Sequence, residues 1–513
     1  MSNNTNNTCF LLTRRGFIAT SGAAMAALVL PRAARAQEAD TLRYALSAYP
    51  PGLDPFRHEG GASIVAKLQI MRGLLGLDAD GEIVGELAES WEEDGSGYTF
   101  VLRDNAVFHN GDPVTAHDVV WSIEQITADG STAYFVTDFS VISAVFAMDD
   151  KTVRINLEAP TPGFLKLLAT PYVPVLSAKE GLENPVSAGP YTISNMEEGV
   201  SIDFEAFEDY YKEGFPKTKK LKMIAYADES LRVAALESGD VDIIEYVPWQ
   251  SMSRVEENPE LVLQETTGPN MIINFNVEQA PFDDPRVRQA VAYAIKREDI
   301  VQAAFYGRGR PLLGLPVDEN SEIANEATQD LFAYDPEKAR ALLEEAGVAG
   351  QTVTLLSSST YSMHQDTALV VQQYLNAVGL NCKLELPEWG ARVAQGNEGQ
   401  YQFCINGSST VVNDPDGLTA MIGSGSPTYK RSYGYSNAEL DQLLTDGRHE
   451  LDPEKRQAIY EEIAQVFKED VPLCPLTRRT QGFGVKNGVQ GFVALIGSSN
   501  TYSGFTLEAA TLV

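Results

Sequence analysis

Cysteine is scarce in this chain. There are four in 513 residues, and Cys9 lies in the N-terminal stretch. The other three, Cys382, Cys404 and Cys474, allow at most one internal disulfide and leave an odd thiol, which excludes a disulfide-stapled scaffold. Cys382 and Cys404 sit in strand-like runs, NCKLEL and YQFCI. Neighbouring strands would bring them together, and buried free thiols fit as well. No cysteine or histidine spacing matches a zinc site. The five histidines, His58, His109, His117, His364 and His449, are far apart, and for His109 and His117 a packing role is favoured over ligation. Cations are also few, 39 against 71 acids. So acidic a surface repels nucleic acid and anionic head groups, and solubility explains it without a cationic ligand. After residue 37 no apolar run reaches eighteen residues, so no segment has the length and hydropathy of a membrane helix. Catalytic signatures are missing too: no G-x-S-x-G, H-E-x-x-H, C-x-x-C or Walker loop is present. Gly307-Arg308-Gly309-Arg310 follows a helical pattern and does not continue as a dinucleotide motif, so it reads as a loop. No cofactor is expected.

The N-terminus is distinctive. Thr13-Arg14-Arg15-Gly16-Phe17-Ile18 has the twin-arginine form, the stretch 17–30 is apolar, and Ala34-Arg35-Ala36 gives a small-x-small cleavage site before Gln37. Fourteen residues are too few to span a bilayer. Arg32 and Arg35 just before the cut suit the twin-arginine route better than a general secretory signal with a chance arginine pair. Cys9 precedes the arginine pair, so it is not a lipoprotein cysteine. The expectation is a cleaved leader, 1–36, and a periplasmic protein without a lipid anchor. Removing the leader's four arginines leaves 35 basic residues against 71 acidic, a formal charge of −36.

The remaining 477 residues are too many for one ordinary core. The run 88–122 is the most ordered in pattern. Tyr98, Phe100 and Leu102 alternate with Thr99, Val101 and Arg103, as in a half-buried strand. Asp104-Asn105 and Asn110-Gly111 mark turns. Thr115 stands three residues before Asp118, a capping-box spacing, and an apolar stripe through Val119, Val120, Ile123 and Ile126 follows. The pattern also predicts strands at 41–46, 152–157, 241–246, 271–275, 352–356 and 382–386. It predicts helices at about 63–75 and at 228–238, the latter closed by Gly239. An acid followed by proline opens three more helices, at Asp284-Pro285, Asp335-Pro336 and Asp452-Pro453. The first is expected to be one long helix running through Ile295, and a second body is expected to start near Pro269. Strands alternating with helices make an α/β protein.

Five blocks in order carry a resemblance: 88–122; AGPYTI at 188–193 with GDVDIIEYVP at 239–248; PFDDPRVRQAVAYAIKREDIV at 281–301; YDPEKARALLEEAGV at 334–348; and DPEKRQAIYEEIAQVFKEDVPLCPL at 452–476. Over essentially the whole mature chain the sequence resembles the extracellular solute-binding proteins of family 5, the peptide/nickel class of ABC importers. The resemblance implies a two-lobed periplasmic-binding-protein clamshell of type II-like form, with an extra α+β subdomain inserted in lobe one. Lobe one would comprise 37–62, 186–266 and 475–513, the insert 63–185, and lobe two 267–474. It implies capture of a peptide or similar small polar organic solute between the lobes. Delivery would be to an inner-membrane ABC permease with its ATPase subunits. The protein would act as a monomer and not as an enzyme.

The resemblance also places ligand contacts on four loops. The candidates are Phe56 and His58 in the first, Tyr361 and His364 in the second, Trp389 in the third, and Asn406, Ser408 and Ser409 in the fourth. For Trp389, Tyr361 and Phe56 the alternative is packing at a lobe surface, and Asp414-Pro415-Asp416-Gly417 reads as a structural turn. The chain departs from its dipeptide-binding relatives here. They carry an acid in the fourth loop for the peptide amino group and an arginine in the second for the carboxylate. Residues 403–413 contain no acid, and 357–365 contain no arginine. A buried ammonium without an anionic partner costs several kcal/mol, on the order seen for buried unpaired charges. A free dipeptide held by its two charges is therefore disfavoured. A longer peptide, a sugar-like or opine-like solute, or another polar organic molecule fits equally well. The rivals are a nickel or metal-chelate carrier, a periplasmic hydrolase and a sensor-linked receptor.

Overall fold

A computed structural model describes residues 40–57, 59–136, 138–318, 320–408, 410, 414–424 and 431–513. Its backbone is an eleven-stranded mixed sheet that runs through both lobes of an α/β body. Two long antiparallel strands, Leu261–Phe275 and Leu473–Lys486, form the middle of the sheet. Outward from Leu261–Phe275 lie Phe403–Ser408, Thr352–Leu356 and Asn381–Glu385. Outward from Leu473–Lys486 lie Ile243–Ile244, Thr41–Leu46, Lys220–Ala225, Ser201–Ala206 and Tyr191–Glu197, and the eleventh strand, Gly309–Pro311, also pairs with Leu473–Lys486.

The strand expected at 271–275 is longer than its pattern. Met271–Phe275 is the last third of a fifteen-residue strand, and Gly268-Pro269 is a bulge within it, where the register shifts between Thr267 and Asn270. Proline has no N–H to give the ladder, and bulges accommodate that loss. Gly268 is needed for close approach, since a Cβ there would lie 3.0 Å from the Arg479 carbonyl oxygen.

The insert is a four-stranded antiparallel sheet, ordered Ala88–Glu93, Gly97–Leu102, Thr152–Leu157, Ile142–Ala147, with the helix Ala116–Thr127. The alternation is realised side chain by side chain. Tyr98, Phe100 and Leu102 are buried while Val101 between them is 40% exposed. The capping box forms: Thr115 N and Oγ1 donate to Asp118 Oδ2 at 3.0 and 2.6 Å. Asp118 Oδ1 also accepts from Ala178 N at 3.0 Å, which ties the helix start to a neighbouring loop.

The three acid-proline helices form as Pro285–Ala294, Pro336–Glu345 and Pro453–Asp470, each with its aspartate accepting from a first-turn N–H. The first is not one long helix. It ends at Ala294, Ile295 is extended, and a second helix runs Arg297–Phe305. The break is held by the buried Arg297 guanidinium, which donates to the carbonyls of Ile295, Phe332 and Pro475. The helix expected at 63–75 is Gly61–Ile70. Met71 after it is extended. The strand expected at 241–246 shortens to Ile243–Ile244.

Cys382, Cys404 and Cys474 are buried free thiols. The strands carrying Cys382 and Cys404 are separated by Thr352–Leu356, so they are not neighbours. Asp414 caps the short 3-10 turn Pro415–Leu418 and pairs with Arg456 at 2.8 Å and Lys166 at 2.9 Å, joining the insert to the region around 414–456. Among the described residues, no helix is long and apolar enough to cross a membrane.

Candidate functional site

Three of the residues singled out from the sequence come together at the C-terminal ends of the outer strands. Tyr361 is the N-cap of the helix Ser362–Ala377, and His364 lies in that helix's first turn. Trp389 is the first residue of the helix Trp389–Asn397, and its backbone N–H donates to Thr360 Oγ1 at 3.0 Å. The Tyr361 and Trp389 rings meet edge to face with centroids 5.1 Å apart, and His364 stands 5.2 Å from Trp389. Edge-to-face packing fixes ring orientation and leaves Tyr361, 36% exposed, open to solvent.

Asn406 joins this group through Arg392. It is fully buried in the strand Phe403–Ser408. Arg392 Nη2 donates to the Ile405 carbonyl at 2.6 Å and reaches Asn406 Oδ1 at 3.4 Å, while its guanidinium lies 5.6 Å from the Trp389 ring centre. Ser408 is the last residue of that strand, opposite Asn270. Phe56 does not join them. It is buried in the insert's core with Ile64 and Leu68, and its carbonyl accepts from Tyr134 N. His58 and Ser409 lie outside the described residues.

The opposite wall comes from residues that pattern reasoning missed. Arg479, Gln481 and Phe483 alternate on one face of Leu473–Lys486. The Arg479 guanidinium lies 5.4 Å from the Trp249 ring centre and 5.7 Å from that of Tyr246, and its Nη1 reaches Met363 Sδ at 3.1 Å. Tyr246 has φ +50, in the left-handed region where a bulky side chain is strained. Its carbonyl accepts from Arg232 Nη2 at 2.8 Å, and that bond helps hold the backbone there. Met363 and Arg479 thus join the Tyr361 helix to the strand that crosses between the halves of the sheet. One signal was present in the sequence: Arg478-Arg479 is a charged pair inside an otherwise buried strand.

The electrostatics here are local and positive. Burial, with the nearby Arg392 and Arg479, holds His364 at a pKa of about 3, opposed by a hydrogen bond to the Ile405 backbone. The imidazole is therefore neutral across the physiological range. Arg478, on the other face, pairs with Asp318 at 3.6 Å and donates to the Val317 carbonyl. Asp318 lines a cavity of about 370 Å³ with Asp80, Glu82, Lys166, Ser321 and Tyr502. Such a room lined from distant parts of the chain is the usual form of a small-molecule site. Among the described residues no group of three or more His, Cys, Asp or Glu side chains is arranged to hold a metal.

Known proteins share this architecture. Residues 82–430 match the middle-region model of the bacterial extracellular solute-binding proteins, family 5. The glutathione-binding protein GsiB of Escherichia coli is 29% identical over 445 residues, covering 83% of this chain and 86% of GsiB. The PBP AgaA of A. tumefaciens, solved in complex with agropinic acid, has a TM-score of 0.86 at 36% identity, covering 92% of this chain and 99% of AgaA. DppA of Helicobacter pylori, solved with the peptide STSA, has a TM-score of 0.81 at 23% identity, covering 92% and 98% of the two chains, a likeness of fold.

Proposed function

Because the chain belongs to the bacterial extracellular solute-binding proteins of family 5, we propose that it is the periplasmic receptor of an ABC importer for a polar organic solute of opine or short-peptide size. Segment 1–36 acts as a twin-arginine leader removed after Ala36, and the mature protein is a monomer free of lipid. Lobe one comprises 37–62, 186–266 and 475–513, with 63–185 inserted in it, and lobe two comprises 267–474. The long strands Leu261–Phe275 and Leu473–Lys486 are the crossings between the lobes.

One observation carries this reading. Tyr361, His364 and Trp389 on one side and Tyr246 and Arg479 on the other converge from distant parts of the chain, each held by its own secondary structure. Aromatic rings give a solute wide contact at little conformational cost. A solute that touches both walls only when the lobes are shut shifts the population toward the closed form by its differential affinity. The closed form then docks on the permease and its ATPase subunits.

Support for an opine or peptide-like solute comes from AgaA and GsiB, whose names record agropinic acid and glutathione. The test is a thermal-shift and calorimetric panel of agropinic acid, glutathione, di- and tripeptides, sugars and nickel with histidine. A specific solute at about a hundred times its Kd stabilises by about 2.7 kcal/mol, a shift of several degrees. A panel in which no solute shifts the melting curve contradicts the receptor reading. A response to nickel-histidine alone replaces the organic solute with a metal chelate.

A further inference from the structure

Arg479 is a buried charge beside the candidate site. It is 4% exposed, forms no salt bridge among the described residues, and its Nε has no hydrogen-bond partner there. Its surroundings are the faces of Tyr246 and Trp249 and the sulfur of Met363. None of these neutralises a guanidinium. Arg478 beside it, pointing to the other face, has Asp318 and the Val317 carbonyl. The two adjacent arginines therefore differ in what the fold supplies to them.

Other unsatisfied groups lie nearby. Gln481, on the same strand face as Arg479, and Asn500 line one small cavity with Tyr246 and Glu245, and among the described residues Gln481 Oε1 and Asn500 Oδ1 are both buried without a partner. His364 Nδ1, on the opposite wall, is also buried without one among the described residues. Buried polar atoms left unbonded are rare in folded proteins and call for a specific explanation. His364 cannot offset the charge of Arg479, because burial and the two neighbouring arginines keep the ring neutral.

On the reading that this cleft is the solute site, we infer that Arg479 is the anchor for a carboxylate of the solute, and that the receptor's substrates are organic acids. A guanidinium presents parallel N–H donors that match the two oxygens of a carboxylate. The unpartnered Nε lies on one edge of that fork. Gln481, Asn500 and His364 are placed to bond the polar groups of the same solute. The anchor lies on the crossing strand, not in the 357–365 loop that lacks an arginine. An acid seated there neutralises the buried cation, and this gives the closed form its differential affinity.

The test uses the mature chain and its Arg479→Met and Arg479→Lys variants, titrated calorimetrically with agropinic acid, glutathione and their methyl or ethyl esters. The wild type is expected to prefer an acid over its ester by about a hundredfold, as for a buried charge pair. Arg479→Met should erase that preference by weakening the acid alone. Arg479→Lys, which keeps the charge without the fork, should lose about tenfold on the acid and nothing on the ester, and it serves alone if Arg479→Met does not fold. If Arg479 only stacks on Trp249 and Tyr246, acid and ester weaken together, and that overturns the inference. So does an acid affinity unchanged within about threefold. A wild type that binds only neutral or cationic solutes overturns the organic-acid class and leaves the receptor standing, whereas a wild type that binds no solute in the wider panel removes both.

Discussion

The insert around 88–122 and the cleft around His364 treat their polar groups in opposite ways. In the insert, Thr115, Asp118 and Ser122 are all bonded: the cap closes on itself, and Ser122 Oγ donates to the Asp118 carbonyl at 2.7 Å. At the candidate site, Arg479 Nε, Gln481 Oε1, Asn500 Oδ1 and His364 Nδ1 are buried and unbonded among the described residues. The capped helix start satisfies its donors and acceptors internally. A unit that must take up a solute keeps some in reserve at a cost in stability.

The largest expected effect separates the two regions. Phe100 is fully buried in the insert, so Phe100→Ala should cost about 3–5 kcal/mol in a denaturant titration. The affinity of the molecules that remain folded should not change. A parallel loss of affinity would mean that the insert helps to form the solute site.

The contrast also sets what was legible in the sequence. The strand at 97–102, the Thr115 cap and the three aspartate-proline helix starts depend on neighbours within a few residues, and each formed where its pattern placed it. Only 271–275 of the strand Leu261–Phe275 shows in the pattern, because a glycine-proline pair reads as a break unless the partner strand that tolerates the bulge is known. The Arg297 side chain that interrupts the expected long helix acts through carbonyls as distant as Pro475, which no local pattern encodes. In the site, Tyr361, His364 and Trp389 were reachable from the family's loop positions. Arg479 and Tyr246 were not, since their role depends on strand order and on a left-handed backbone at Tyr246. Phe56 packs in the insert's core, the alternative open to an aromatic after a proline-rich loop.

The next effect is pH-dependent. The folded pKa of His364 is pushed below that of the unfolded chain, from 6.5 to about 3. Below pH 6.5 the unfolded state takes up a proton that the folded state refuses, so stability falls with pH until about 3. At neutral pH nothing is lost. His364→Gln removes this term, so the wild type should lose about 2–3 kcal/mol more than the variant between pH 7.5 and pH 4.5. Parallel melting curves across that range would show that the ring is solvated and not held neutral in the cleft. The smallest effect belongs to the insert again. Thr115→Ala should remove the capping box for about 1 kcal/mol, read as a shift in denaturation midpoint with no change in solute affinity.

Two tryptophans put the contrast into one measurement. Trp91 pairs with Phe100 in the insert's sheet, and Trp389 stands beside Tyr361 and His364. Calorimetric titration of Trp91→Ala and Trp389→Ala with the best solute of the panel should show Trp389→Ala weakened at least tenfold, on the scale of a buried aromatic contact. Trp91→Ala should bind like the wild type despite its lower melting temperature. Unchanged affinity in Trp389→Ala, or an equal loss in both, would contradict a solute site at this cleft.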